Sequence, residues 1–151
     1  MMSHASPTPA PLELLNRRTF AASRERLFDA VADPALLARW WGPNGFTTTI
    51  QHFDFQVGGR WRSTMRGPDG TEHPNESEFA AIERPSRIVV LHLGPVHPFE
   101  LTMTFTARAE ASTEVEWRMA MERTPQNEQF APFFSTANEQ NFDRLAAVLG
   151  G

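Results

Sequence analysis

Few residues of this 151-residue chain could do chemistry. His92 stands between Leu91 and Leu93, and Glu76 and Glu78 lie on the alternating segment before it. If Glu76 and His92 both faced inward, imidazole and carboxylate would form a general acid/base couple. A strand histidine is more commonly a satisfied core residue, and an alternating glutamate more commonly faces water. Asn138 is a carboxamide in an otherwise apolar stripe of Phe130, Phe134, Phe142 and Leu145, spaced in steps of three and four residues. A buried amide without a partner costs about 1–3 kcal/mol, so Asn138 requires a sheet side chain, a water or a ligand. Arg18 is a further polar group that a pocket reaction could use. His4, His52, His73, His92 and His97 form no H-x-H or H-E-x-x-H pattern, so no metal is expected. The absence of cysteine removes thiol nucleophiles, disulfides and thiolate metal sites. No G-x-S-x-G, phosphate-cradling loop or dinucleotide motif occurs, and no cofactor is expected.

The bulky residues suggest a wall more than a reaction. Trp61 and Met65, Met103 and Phe105, and Trp117, Met119 and Met121 share one parity along their segments. Such a set serves as plain core, but methionine adapts to irregular shapes and aromatic walls suit apolar ligands. Adjacent helical residues point about 100° apart, so one of Trp40 and Trp41 should be buried and the other should sit at a cavity rim. The candidate lining is therefore Trp40, Trp41, Phe55, Trp61, Met65, Phe79, His92, Met103, Phe105, Trp117, Met119, Phe130, Phe134 and Asn138.

These side chains need elements to position them. Residues 1–11, with Pro7, Pro9 and Pro11, read as an unstructured tail, and 12–151 as one domain. Leu12 to Phe20 reads as a strand. Ser23 caps a short helix bearing Leu27, Phe28 and Val31, and Asp33-Pro34 starts a second that Gly42-Pro43 stops. Alternation then carries Phe53, Phe55 and Val57 to a Gly58-Gly59 turn, followed by Trp61, Ser63 and Met65. Gly67-Pro68-Asp69-Gly70 is a hairpin signal. A strand within Thr71–Ile82 is expected to begin after Pro74, and the opposite parities of Phe79 and Ile82 call for a bulge. Arg87–Leu93 reads as strand, Gly94–Pro98 as loop, and two clear alternating strands precede a helix from Thr124-Pro125 to Leu149. Pro132 predicts a kink or a delayed start in that helix. The order is β-α-α-β6-α, an α+β helix-grip fold in which a curved antiparallel seven-stranded sheet wraps the last helix.

Ordered motifs support this architecture. Arg18-Thr19-Phe20-Ala21-Ala22-Ser23, Asp33-Pro34, Trp40-Trp41-Gly42-Pro43, Asp54–Trp61, Gly67–Gly70 and Phe142-Asp143-Arg144-Leu145 together resemble the activator of heat-shock-protein-90 ATPase homologue family. That family lies within the START-like, or birch-pollen-allergen-like (SRPBCC), superfamily, which also includes polyketide-cyclase-like proteins. The resemblance spans nearly all of Leu12 to Leu149 and implies the helix-grip fold. Two positions depart from it. Ala137-Asn138 replaces a common Gly-Trp, which should leave a larger or more polar pocket. Gln56 replaces the usual Arg, removing a charge partner for Asp54. The co-chaperone activity that names the family belongs to larger proteins with an additional N-terminal domain, and no stretch here reads as one.

Net charge −4 and pI 5.7, with fourteen scattered arginines and no lysine, argue against a nucleic-acid partner. The apolar runs are too short for a membrane span and the N-terminus does not read as a signal peptide, so a cytoplasmic protein is expected. The expected partner is a small apolar or aromatic ligand, bound without catalysis in the cavity between sheet and last helix. A homodimer is compatible with this size. The alternatives are a cyclase-, aldolase- or hydrolase-like enzyme using polar residues of that pocket, and a chaperone ATPase-stimulating module using the outer sheet face.

Overall fold

In the computed structural model, which describes residues 10–94 and 98–150, the chain runs β1(Leu12–Phe20), α1(Arg24–Ala32), α2(Pro34–Trp40), β2(Thr47–Phe53), β3(Arg60–Arg66), β4(Glu72–Glu83), β5(Arg87–Gly94), β6(Phe99–Ala109), β7(Ser112–Met121) and α3(Pro125–Gly150). The strands form one antiparallel sheet in the order β1-β7-β6-β5-β4-β3-β2. It curves around α3, giving the expected helix-grip fold. Most of the expected tail, residues 1–9, lies outside the described residues, as do residues 95–97 of the expected Gly94–Pro98 loop.

Local chemistry sets the helix limits. Ser23 Oγ accepts from the Arg26 N–H at 3.2 Å, and Asp33 Oδ1 accepts from the Ala35 N–H at 2.9 Å, so both predicted caps form. Pro34 occupies the first turn of α2, where its missing N–H costs nothing. Helix α3 starts at Pro125 without the delayed start that Pro132 suggested, and it continues through Pro132. That proline leaves the Glu128 carbonyl without its helical donor, on the exposed side of the helix where water can serve.

Two strand expectations are corrected. Strand β2 ends at Phe53, so Phe55 and Val57 are not strand residues; 54–59 is a tight loop, and Val57 is 65% exposed. The loop is dictated by Gly59, whose absent Cβ would stand 2.0 Å from the Asp54 carbonyl oxygen. Gln56 Nε2 donates to Asp54 Oδ2 at 2.9 Å, a neutral replacement for the charge partner whose loss the sequence implied. Strand β4 begins before Pro74, not after it. Pro74 lies opposite Thr64 of β3, while pairing to β5 starts only at Glu76↔Gly94. The strand thus has a described neighbour on one side only at that point, where proline is tolerated. The anticipated bulge falls at Ala80: Phe79 pairs with Val90 and Ala81 with Val89, which lets both Phe79 and Ile82 face inward. A second shift opposite Glu76/Ser77 makes Leu93 the extra residue of β5.

The core sits between the concave sheet face and the helices. Helices α1 and α2 cover one end through Leu27, Phe28, Val31, Leu37 and Trp40, all essentially buried. Edge-to-face contacts at 5.7 Å from Phe28 to Phe105 and 5.9 Å from Phe28 to Phe55 join α1 to the sheet side. The convex face is wet and carries mixed charges, paired as Arg17–Glu116, Arg60–Glu76, Arg108–Glu114 and Arg118–Glu13. Such exposed pairs contribute little stability, about 0–1 kcal/mol each.

Candidate functional site

The concave face is longer than α1 and α2 can cover. Beyond them, α3 spans a cavity of about 280 Å³, close to the lower end of the range of small-molecule sites, about 300–1,000 Å³. The sheet side supplies Trp61 and Met65 from β3, Val90 and His92 from β5, Phe99 and Leu101 from β6, and Trp117 and Met119 from β7. Phe134, Asn138 and Asn141 project from α3, and Trp41, Gly42 and Pro43 close one end.

The two tryptophans divide as their spacing required. Trp40 is fully buried behind the cavity, its Nε1–H donating to the Ala30 carbonyl at 3.0 Å. Trp41 is half-buried at the rim, with ring centroids 4.9 Å from Trp61 and 5.4 Å from Trp117. Several bonds hold it there. Its N–H donates to Leu37 O at 3.0 Å, and its carbonyl accepts from Thr48 Oγ1 at 2.6 Å. The next residues are fastened to α3: Gly42 N–H donates to Asn141 Oδ1 at 2.7 Å, and Asn44 N–H to Gln140 Oε1 at 3.0 Å. Arg144 Nη1 donates to the carbonyls of Gly42 at 2.8 Å and Pro43 at 3.2 Å. Burial lowers the pKa of the Arg144 guanidinium. Gly42 itself has φ +112°, a region that favours glycine, and a Cβ there would come within 2.9 Å of Met65 Cε.

Asn138 has found a sheet partner. Its Nδ2 donates to Asn16 Oδ1 at 3.1 Å, and both residues are buried. Asn16 in turn donates to Glu139 Oε2 at 2.7 Å and to the Ser135 carbonyl at 3.3 Å. The polar anomaly of the helical stripe therefore ties the middle of α3 to β1. It also borders the cavity where a Trp would have filled it.

The Glu76–His92 couple does not assemble. Strand register pairs His92 with Ser77 and places Glu76 one residue away, hence on the opposite face. Glu76 is on the convex side, accepting from Arg60 Nη1 at 2.6 Å. His92 faces the cavity and stacks on Phe99, centroids 4.6 Å apart and planes at 18°. These two rings also border a shallow depression on the outside, beside Pro98 and Met121. Arg18 does not line the cavity either. Its guanidinium donates to Asp143 at 2.7 Å and Glu139 at 2.9 Å beside the Phe142 ring. Burial alone would lower its pKa, but these two carboxylates outweigh that and raise it.

Of the residues expected to line the site, Trp41, Trp61, Met65, His92, Trp117, Met119, Phe134 and Asn138 border the cavity. Trp40, Phe55, Phe79, Met103 and Phe105 do not; they pack in the part of the core that α1 and α2 plug. Phe130 lies nearer the start of α3, 6.1 Å from the Phe133 ring, and is not a wall residue. The sequence reading missed Ser63, Asn75 and Ser77, which form a polar strip on β3 and β4, as well as Phe99, Leu101 and Asn141. Ser63 shares the parity of Trp61 and Met65, which was the available signal. Among the described residues no three His, Asp or Glu side chains cluster as a metal site, and no helix is long and apolar enough to cross a membrane.

A protein-family model described as "Activator of Hsp90 ATPase homolog 1-like protein" matches residues 21–150. No functionally curated protein matches the chain. Solved structures do. A protein from Arthrobacter aurescens superposes with a TM-score of 0.85 at 24% identity, covering 92% of this chain and 86% of that one. One from Rhodobacter sphaeroides gives 0.79 at 27% identity, covering 96% and 95%. A protein from Silicibacter pomeroyi that carries the family's name gives 0.75 at 19% identity, covering 92% and 98%.

Proposed function

This chain belongs to the activator of Hsp90 ATPase homolog 1-like family, and from that premise we propose that it binds a small, largely apolar molecule between the sheet and α3. The observation that carries this reading is the cavity of about 280 Å³, walled by Trp41, Trp61, Trp117 and Phe99 and, among the described residues, bordered by no Asp, Glu, Lys or Arg. Burying an aromatic ligand there removes apolar surface from water, worth about 25 cal/mol per Å² before the costs of association. No described acid/base pair faces the space, which favours binding over turnover.

A binding experiment tests this. Naphthalene titrated into the protein and followed by protein-observed NMR should bind saturably, with shifts at the Trp61 and Trp117 indoles. Replacing Asn138 by Trp should fill the space and abolish binding; Met65→Phe fills it from the sheet side without touching the Asn16 bond. Failure of the wild-type protein to bind both naphthalene and its hydroxylated analogue 2-naphthol overturns the proposal.

The family description and the S. pomeroyi relative speak more directly for a second reading, a module that stimulates a chaperone ATPase. In that reading the convex face, with its Arg17–Glu116 and Arg60–Glu76 pairs, is the contact surface. A rise in the ATPase rate of an Hsp90-type chaperone on addition of the protein would support it, and an unchanged rate at saturating protein would dismiss it.

A further inference from the structure

Resting on the cavity reading above, we propose that the ligand is a neutral aromatic molecule carrying one hydroxyl or carbonyl oxygen, held against a polar strip formed by Ser63 and Ser77. The strip follows from strand register. Ser63 lies opposite Asn75, Trp61 opposite Ser77, and Ser77 opposite His92. Directly opposed side chains stand about 4.5–5.5 Å apart at Cβ, so the group forms one contiguous patch on an otherwise greasy wall. All of these residues border the cavity.

The two serines are the informative members. Ser63 is 5% exposed and Ser77 7%, yet no hydrogen bond among the described residues engages either hydroxyl. Nearby, the buried Nε1–H of Trp61 also has no partner. The other polar groups are differently placed. Asn141 is used by Gly42 and by the Ala137 carbonyl, Asn138 by Asn16, and Asn75 Nδ2 by the His73 carbonyl. A purely apolar wall would serve a hydrocarbon better, because a hydrocarbon would bury these accessible hydroxyls without giving them partners, which is costly. Water can satisfy them when no ligand is bound, but a ligand that displaces that water must replace its bonds or lose affinity. An oxygen on the ligand replaces them. Charge is less well served: among the described residues no guanidinium or ammonium borders the space, and apart from the His92 imidazole a carboxylate would meet only neutral donors.

Three probes of one shape separate these cases: naphthalene, 2-naphthol and 2-naphthoate, each titrated by calorimetry at neutral pH. We expect 2-naphthol to bind roughly tenfold tighter than naphthalene, the equivalent of about 1.4 kcal/mol. We expect 2-naphthoate to bind at least tenfold more weakly than 2-naphthol. In the Ser63→Ala/Ser77→Ala variant the ratio of naphthol to naphthalene affinity should fall to near one. A general loosening of the fold would weaken both probes and leave the ratio near ten. Equal binding of naphthol and naphthalene by the wild-type protein, or naphthoate binding as tightly as naphthol, overturns the inference while leaving the apolar cavity reading intact. Binding of none of the three overturns both. The wild-type comparison needs no variant, so it holds even if the double replacement fails to fold.

Discussion

Truncating Asn138 to Ala breaks one hydrogen bond, its Nδ2 to Asn16 Oδ1 at 3.1 Å, between two residues only 4% and 5% exposed. The acceptor left behind is buried, so the cost is that of an orphaned polar group, about 1–2 kcal/mol. For a chain of this length that lowers Tm by roughly 2–8 °C. Truncating Asn16 instead removes its charge-assisted bond to Glu139 at 2.7 Å as well, and should cost more, about 2–3 kcal/mol. In the double variant the orphaned Oδ1 is gone. Its loss should therefore fall short of the sum of the singles by about 1 kcal/mol. Urea unfolding of the four proteins measures this directly. Additivity within about 0.3–0.5 kcal/mol would show that the two amides are not coupled and would refute the reasoning.

Three further outcomes are expected. Arg144→Lys cannot reproduce the planar fork that reaches the Gly42, Pro43 and Arg39 carbonyls; it should cost about 1–2 kcal/mol and speed hydrogen exchange at the Gly42 and Asn44 amides. Pro132→Ala restores a donor for the Glu128 carbonyl on an exposed helical turn and should stabilise by about 1–3 kcal/mol in urea unfolding. The Asp69 carboxyl is held below its ordinary value by the backbone N–H of Thr71 and then by its hydroxyl. Its contribution is therefore fully present above the unfolded value of about 3.9 and is lost as pH falls through the lower folded value. The stability difference between wild type and Asp69→Asn should be flat near neutrality and shrink below about pH 4; an unchanged difference at lower pH contradicts the assignment.

Much of the fold was legible because single residues commit the backbone. Ser23 and Asp33-Pro34 begin helices by satisfying or lacking N–H groups, and Gly67–Gly70 turns a hairpin, its Gly70 N–H donating to Gly67 O at 2.9 Å. The alternation of β6 and β7 reports a sheet with one dry face. Where reading failed, the deciding contact was non-local. Phe55 and Val57 keep a strand's parity, but the close approach of Gly59 to the Asp54 carbonyl folds that stretch into a loop. Glu76 could be assigned a face only through its register with β3 and β5, and the bulge at Ala80 hides that register from any count along β4. The same ambiguity concealed Asn75 and Ser77. For the lining residues, type was the wrong guide: Phe79 and Phe105 are as aromatic as Trp117, and only the position of α1 and α2 decides which of them meets space.

The fastening of residues 41–44 to α3 bears on how tightly anything could be held. Most of the entropy lost when a wall residue is immobilised is here lost during folding, since Asn141, Gln140 and Arg144 already fix the backbone around Trp41. With its backbone fixed and its ring packed against Trp40, Trp61 and Trp117, that indole need not be ordered on association, and a cost of about 0.5–1.5 kcal/mol per immobilised side chain is avoided. Residues that never touch a ligand thereby set part of its affinity. Loosening Arg144 should shorten the bound lifetime of a probe rather than slow its arrival, since related complexes differ chiefly in their rate of dissociation.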